Sequence, residues 1–138
     1  MKITICGSMI FAKEMLNIQT DLEKLGHDVL VPISTQDYIK DANLKSSRDN
    51  KIEVSDFRVL IKDHFDKIDT SDAVLALNFD KNDIKNYIGS SALAEITYAF
   101  TQNKKLFLYN DISNQTYISD DLKRIGVIAI KNDLTKIL

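Results

Sequence analysis

Two residues of the 138-residue chain carry chemistry out of keeping with their neighbours. Glu95 lies in "NYIGSSALAEITYAF", residues 86–100, where a Gly-Ser-Ser turn opens a stretch that is otherwise apolar or small. A carboxylate there is either a solvent-facing helix residue or a group held in place as a nucleophile or base. On a helical wheel Leu93, Ile96 and Phe100 form the core face, and Glu95 falls on another side, flanked by Ser91, Ala92 and Ala99. Such small neighbours leave room for a ligand and suit an exposed glutamate equally well. His64 is the second residue. Phe57, Leu60, Ile61, His64, Phe65 and Ile68 recur at helical spacing, which puts His64 on the buried face of an amphipathic helix. A lone histidine on such a face is commonly a satisfied core residue. If it reaches a polar cleft, its ordinary pKa suits proton transfer near neutrality.

Two turns have the makings of an anion site. Gly7-Ser8-Met9 follows an apolar run, and Gly89-Ser90-Ser91 repeats the arrangement. Backbone amides at a helix start point toward an anion, and glycine permits close approach. Neither turn has the full glycine pattern of a dinucleotide site or P-loop, so ordinary serine-capped turns explain them too. His27 follows Gly26 at a turn and receives no role. Two separated histidines and the single cysteine, Cys6, show no metal-ligand spacing, and nothing calls for an organic cofactor. A receiver-type acidic pocket is excluded, because Gly7 and Ser8 stand where acidic residues would follow the first strand.

The elements that must position these residues follow from periodicity. "KITIC", "HDVLVPI", "DAVLALN", "KKLFLYN" and "GVIAI" read as strands. Helices are expected after Ser8 as cap, with Phe11, Met15, Ile18, Leu22 and Leu25 inward and Gly26 as the stop. Others are expected around His64, from Gly89 onward, and over "DDLKRI". Residues 34–52 are polar and weakly periodic, a mobile loop or a loop with a short helix. Alternating strands and helices predict an α/β fold: a single-domain (1–138) flavodoxin/Rossmann-like three-layer sandwich with a five-stranded parallel sheet. Ligands of such sheets bind beyond the carboxyl ends of the strands. That selects Gly7-Ser8-Met9, the loop from Asn78 to Gly89, and the loop from Asn110 to Ser119. A net charge of -2 gives no reason to expect a nucleic acid polymer or an acidic membrane surface as partner. With no apolar run near the ~20 residues that span a bilayer, and no secretory leader, the chain reads as cytoplasmic and complete.

Four stretches together carry a likeness. "ICGSM", "SDAVLALN", "NYIGSSALAEI" and "NKKLFLYN" resemble, in that order, the nucleoside 2-deoxyribosyltransferase-like family. The family includes base-exchanging deoxyribosyltransferases and 2'-deoxynucleoside 5'-phosphate N-glycosidases. The resemblance covers most of the chain, with gaps in residues 34–55, and implies that Glu95 is the nucleophile. Its carboxylate would attack the anomeric carbon, release the base, and form a sugar ester that water or a second base resolves. The family's acid stands eight residues before the strand aspartate that Asp72 matches, and His64 occupies that place. His64, assisted by Asp63, is then the expected proton donor to the leaving base. Asp63 and Asp66 are the alternatives in a shifted helix register.

Other positions divide. Thr4 stands where the nucleotide hydrolases have tyrosine, and Ile10 where they have arginine. Cys6-Gly7-Ser8 matches their loop, and Ser119 falls on a serine that binds the 5'-phosphate from the neighbouring subunit. Their other phosphate serine aligns with Gly89, one position before Ser90; the base-exchanging branch has an aspartate there, and this chain does not. The resemblance therefore implies hydrolysis over base exchange, a nucleoside or nucleotide as small-molecule partner, and a homodimer or higher oligomer. The departures also suit a non-catalytic nucleotide-binding module or sensor.

Overall fold

A computed structural model describes residues 1–40 and 54–138. Strands β1 (Lys2–Gly7), β2 (Asp28–Leu30), β3 (Ala73–Leu77), β4 (Lys105–Leu108) and β5 (Ile128–Ala129) form one sheet in the order β2-β1-β3-β4-β5. Every pairing is parallel. The helices are α1 (Ala12–Lys24), α2 (Thr35–Lys40), α3 (Val54–Asp69), α4 (Ser90–Thr101) and α5 (Ile118–Arg124). None of them is long and apolar enough to cross a membrane.

Both faces of the central strands are covered, which is why β3 reads as an unbroken apolar run. On one face Ile3, Ile5, Ala73, Leu75, Leu77 and Phe107 pack with Met15, Ile18 and Leu22 of α1. On the other, Cys6, Val74, Ala76, Leu106 and Leu108 pack with Ile68 of α3, Ala92, Ile96 and Ala99 of α4, and Leu122 of α5. The three layers are those expected.

Several boundaries differ from the sequence reading, each for a local reason. The second strand is shorter than "HDVLVPI": it ends at Leu30, two residues before Pro32, which cannot donate to a ladder. The fifth ends at Ala129, and Lys131 and Asn132 then turn away with φ of 54° and 64°. Ser8 does not cap α1. A 3-10 turn, Met9–Phe11, intervenes, and the Ser8 side chain makes no cap bond. Leu25 lies past the end of α1 and is exposed. In α4 the buried face is Ala92, Ile96 and Ala99; Phe100 is 47% exposed. Part of the polar segment is helical, as α2, while residues 41–53 and the Phe57 side chain lie outside the described residues.

This topology fixes where a crevice opens. After β1 the chain steps outward to β2, then returns to β3 on the other side of β1. The carboxyl ends of β1 and β3 therefore flank the point where strand order reverses, and a crevice opens there. Gly7 ends β1 in register with Leu77, at φ +154°. A Cβ at this position would meet the Leu77 carbonyl at 3.3 Å and the Met15 methyl at 3.4 Å. Gly7→Ala is expected to cost ~1–3 kcal/mol through backbone strain and this close approach. A lowered urea midpoint would show it, and an unchanged midpoint would contradict it.

Candidate active site

The crevice is a cleft of about 80 Å³ lined by Gly7, Met9, Pro32, Ser34, Tyr38, Leu60, Ile61, His64, Ser91 and Glu95. The small residues that bring α4 down onto the sheet also bring Glu95 down. Its side chain is only 14% exposed, so it is not the solvent-facing residue that the wheel allowed. Ser91, one turn earlier, shares the cleft wall.

Cys6 of β1 lies beneath Glu95 and is fully buried. Burial pushes its thiol well above the ordinary range, and the Glu95 charge and a hydrogen bond to that carboxylate push it further. Cys6 is thus a neutral thiol donating to Glu95. From α3, His64 Nε2 comes within 3.7 Å of Glu95 Oε2. Neither ring nitrogen of His64 has a hydrogen-bond partner among the described residues. Burial, then the charge of Lys67, lowers the His64 pKa to about 4, against a smaller opposing pull from Asp63. At neutral pH the imidazole is neutral, and its contact with Glu95 is not an ion pair.

The register of α3 separates the candidates for the acid. His64 faces Glu95, whereas Asp63 pairs with Lys67 at 2.8 Å and Asp66 with Lys62 at 3.0 Å. Gly89 is the N-cap of α4 without a side-chain cap bond, and Ser90 is exposed. The first amides of α4 lack intrahelical acceptors and form the positive end of its dipole.

Other expected site residues lie elsewhere. Asn78 is fully buried; its amide donates to the carbonyls of Asp111 (2.8 Å) and Asn110 (3.4 Å) and accepts from the Asn110 N–H (2.7 Å). It ties β3 to the segment after β4 and is not part of the cleft wall. Ser119 sits on α5, donates to the Gln115 carbonyl at 2.9 Å, and is also outside the cleft. Thr4, in place of the family tyrosine, is buried against the Ser71 hydroxyl at 2.7 Å. Ile10 is exposed.

Two features were not visible along the chain. Lys81 donates to Ser8 Oγ at 2.9 Å, which sets a positive charge against the Gly7-Ser8 turn. A tight reversal holds it there: Lys81 and Ile84 exchange backbone bonds around Asn82 and Asp83, both at positive φ. Asn-Asp was the available signal for that turn, but nothing marked the lysine as different from a solvated one. The second feature is a ligand-like group. Spacing predicts no metal-ligand cluster, yet atoms of Cys6, His64 and Glu95 all lie within 4.8 Å of one another.

The lowered pKa of His64 has a consequence for stability. Between pH 4 and 6.5 the unfolded chain binds a proton at this residue and the folded chain does not, so stability falls as pH drops through that window. The difference amounts to about 3 kcal/mol. Urea denaturation of wild type and His64→Asn at pH 7 and pH 4 is expected to show that much less acid destabilisation in the variant. Equal losses would contradict the burial of a neutral imidazole.

No protein-family model matches the chain, and no curated protein matches it. Four chains of solved structures do, among them two enzymes. One is a 2-deoxyribosyltransferase from Bacillus psychrosaccharolyticus, 14% identical over 79% of this chain and 72% of that one, with a TM-score of 0.54. The other is the Clostridium botulinum CMP N-glycosidase BcmB, 17% identical over 98% of this chain and 92% of that one, with a TM-score of 0.56. One transfers a deoxyribosyl group and the other is an N-glycosidase, and the chain has the fold they share.

Proposed function

We propose that the chain cleaves the N-glycosidic bond of a nucleoside or 2'-deoxynucleoside, or of its 5'-monophosphate, with Glu95 as nucleophile. The observation that carries this reading is a largely buried carboxylate on the wall of a cleft at the sheet's switch point, beside the Gly7 turn. A Glu95 oxygen attacks the anomeric carbon, the C–N bond breaks, and the base leaves. Water then attacks the same carbon and the ester C–O bond breaks, returning the carboxylate. The Cys6 thiol, donating to Glu95, fixes the carboxylate's orientation.

The departing base needs a proton. His64 lines the cleft 3.7 Å from Glu95, but its pKa of about 4 leaves it neutral at pH 7. A 5'-phosphate bound in the cleft adds negative charge and raises that pKa toward the working range. In this reading the acid is armed by the substrate's own phosphate, which favours nucleotides over nucleosides. Groups able to hold the phosphate are the Ser8 and Met9 amides, Lys81, and Ser90 and Ser91 at the start of α4. Ser119 stands outside this chain's own cleft; the family resemblance implies that it serves the cleft of a second copy, which would make the working unit a dimer or larger. With no carboxylate at Gly89 to hold an acceptor base, water is the favoured second reactant.

The neutrality of His64 also favours a second reading, a nucleotide-binding module without turnover. Incubation with a panel of nucleosides, 2'-deoxynucleosides and their monophosphates, followed by chromatography, separates the two. Free base is expected, faster from monophosphates, and reduced roughly 10³-fold or more in Glu95→Gln. His64→Asn is expected to slow release by ~10²-fold or more. Nucleotide binding without base release would establish the module. Undiminished release by Glu95→Gln would remove Glu95 as nucleophile.

A further inference from the structure

We propose that Cys6, His64 and Glu95 form a three-residue site for a soft divalent transition cation, with zinc the best fit. Their ligand atoms, one from each side chain, lie within 4.8 Å of one another. Zinc bonded to sulfur at ~2.3 Å and to nitrogen and oxygen at ~2.0–2.2 Å needs such atoms roughly 3.3–3.6 Å apart. The separation of His64 Nε2 from Glu95 Oε2, 3.7 Å, is already close to that. The three ligands come from β1, α3 and α4, elements packed around one core, so only small side-chain shifts are required.

An independent observation points the same way. His64 is 5% exposed, and neither ring nitrogen has a hydrogen-bond partner among the described residues. Buried polar atoms are seldom left so, and a metal is one of the few partners that would satisfy Nε2 here. The donor set is selective as well: thiol and imidazole favour zinc, cobalt or copper over magnesium or calcium. Three protein ligands leave a fourth tetrahedral position toward the cleft, where water or another small ligand can sit.

Binding replaces the Cys6–Glu95 hydrogen bond with coordination. The thiol proton passes to solvent, a sulfur–metal bond forms, and no oxidation state changes. The proposal stands whether or not the chain is a glycosidase, since it requires only the geometry of three side chains. If Glu95 is the nucleophile, metal and sugar exclude one another.

Cobalt(II) is the probe, titrated into the chelator-treated full chain. One ion per chain is expected, with a thiolate-to-cobalt charge-transfer band and the intense visible bands of four-coordinate cobalt. Zinc should bleach both at one equivalent, and magnesium should not. Cys6→Ser should lose the charge-transfer band. His64→Asn should weaken binding by more than the roughly 10–100-fold that outer-shell losses cost. A wild-type spectrum without the charge-transfer band overturns the proposal, even if either variant fails to fold. So does an affinity unchanged in His64→Asn.

Discussion

The pairing of β1 with β3 organises everything else. It runs from Ile3 opposite Ala73 to Gly7 opposite Leu77. Because β2 was added on the far side of β1 first, this pairing creates the reversal in strand order and the crevice above it. It sets Cys6 beside Ala76 on the face that α4 covers, and it ends at a glycine where a side chain would strike the neighbouring strand. Once α4 lies across that face on Ala92, Ile96 and Ala99, the residue between them, Glu95, is drawn toward the sheet.

The result is a polar cluster inside an apolar shell. A thiol, an imidazole and a carboxylate meet where the rest of the fold is built from isoleucine, leucine and alanine. Burial disfavours the charged forms of Cys6 and His64, and the low pKa of His64 is the visible cost. Such an arrangement contributes little to stability and conflicts with local folding rules. Conflicts of that kind concentrate at functional sites, which is the physical reason to place the chemistry here.

Strand count and the parallel sheet were legible in the sequence, because apolar runs between helical periods constrain topology strongly; Glu95 stood out through the family resemblance, since the wheel alone left it open. The buried side of α4 was not. The wheel weights Leu93 and Phe100 by hydrophobicity, but close approach of a helix to a sheet selects small residues, and alanines won. Asn78 looked like a ligand group because it ends a strand. Its actual partners, Asn110 and Asp111, lie 32 and 33 residues away, beyond any local pattern. The same holds for Lys81 on Ser8, and for Cys6 under Glu95, where the contact exists only once two elements are packed. For α3 the sequence did better: inward spacing picked His64 over its aspartate neighbours, and the structure turns His64 toward Glu95.

The proposed reaction requires a covalent bond between Glu95 and the sugar. The most direct measurement is an acid quench during turnover of a deoxynucleoside monophosphate, followed by proteolysis and mass spectrometry of the peptide carrying residue 95. Turnover through Glu95 should leave this peptide heavier by the mass of a deoxyribose phosphate less water, localised to Glu95 by fragmentation. Base release with that peptide unmodified at every quench time, or with the adduct on another residue, would contradict it.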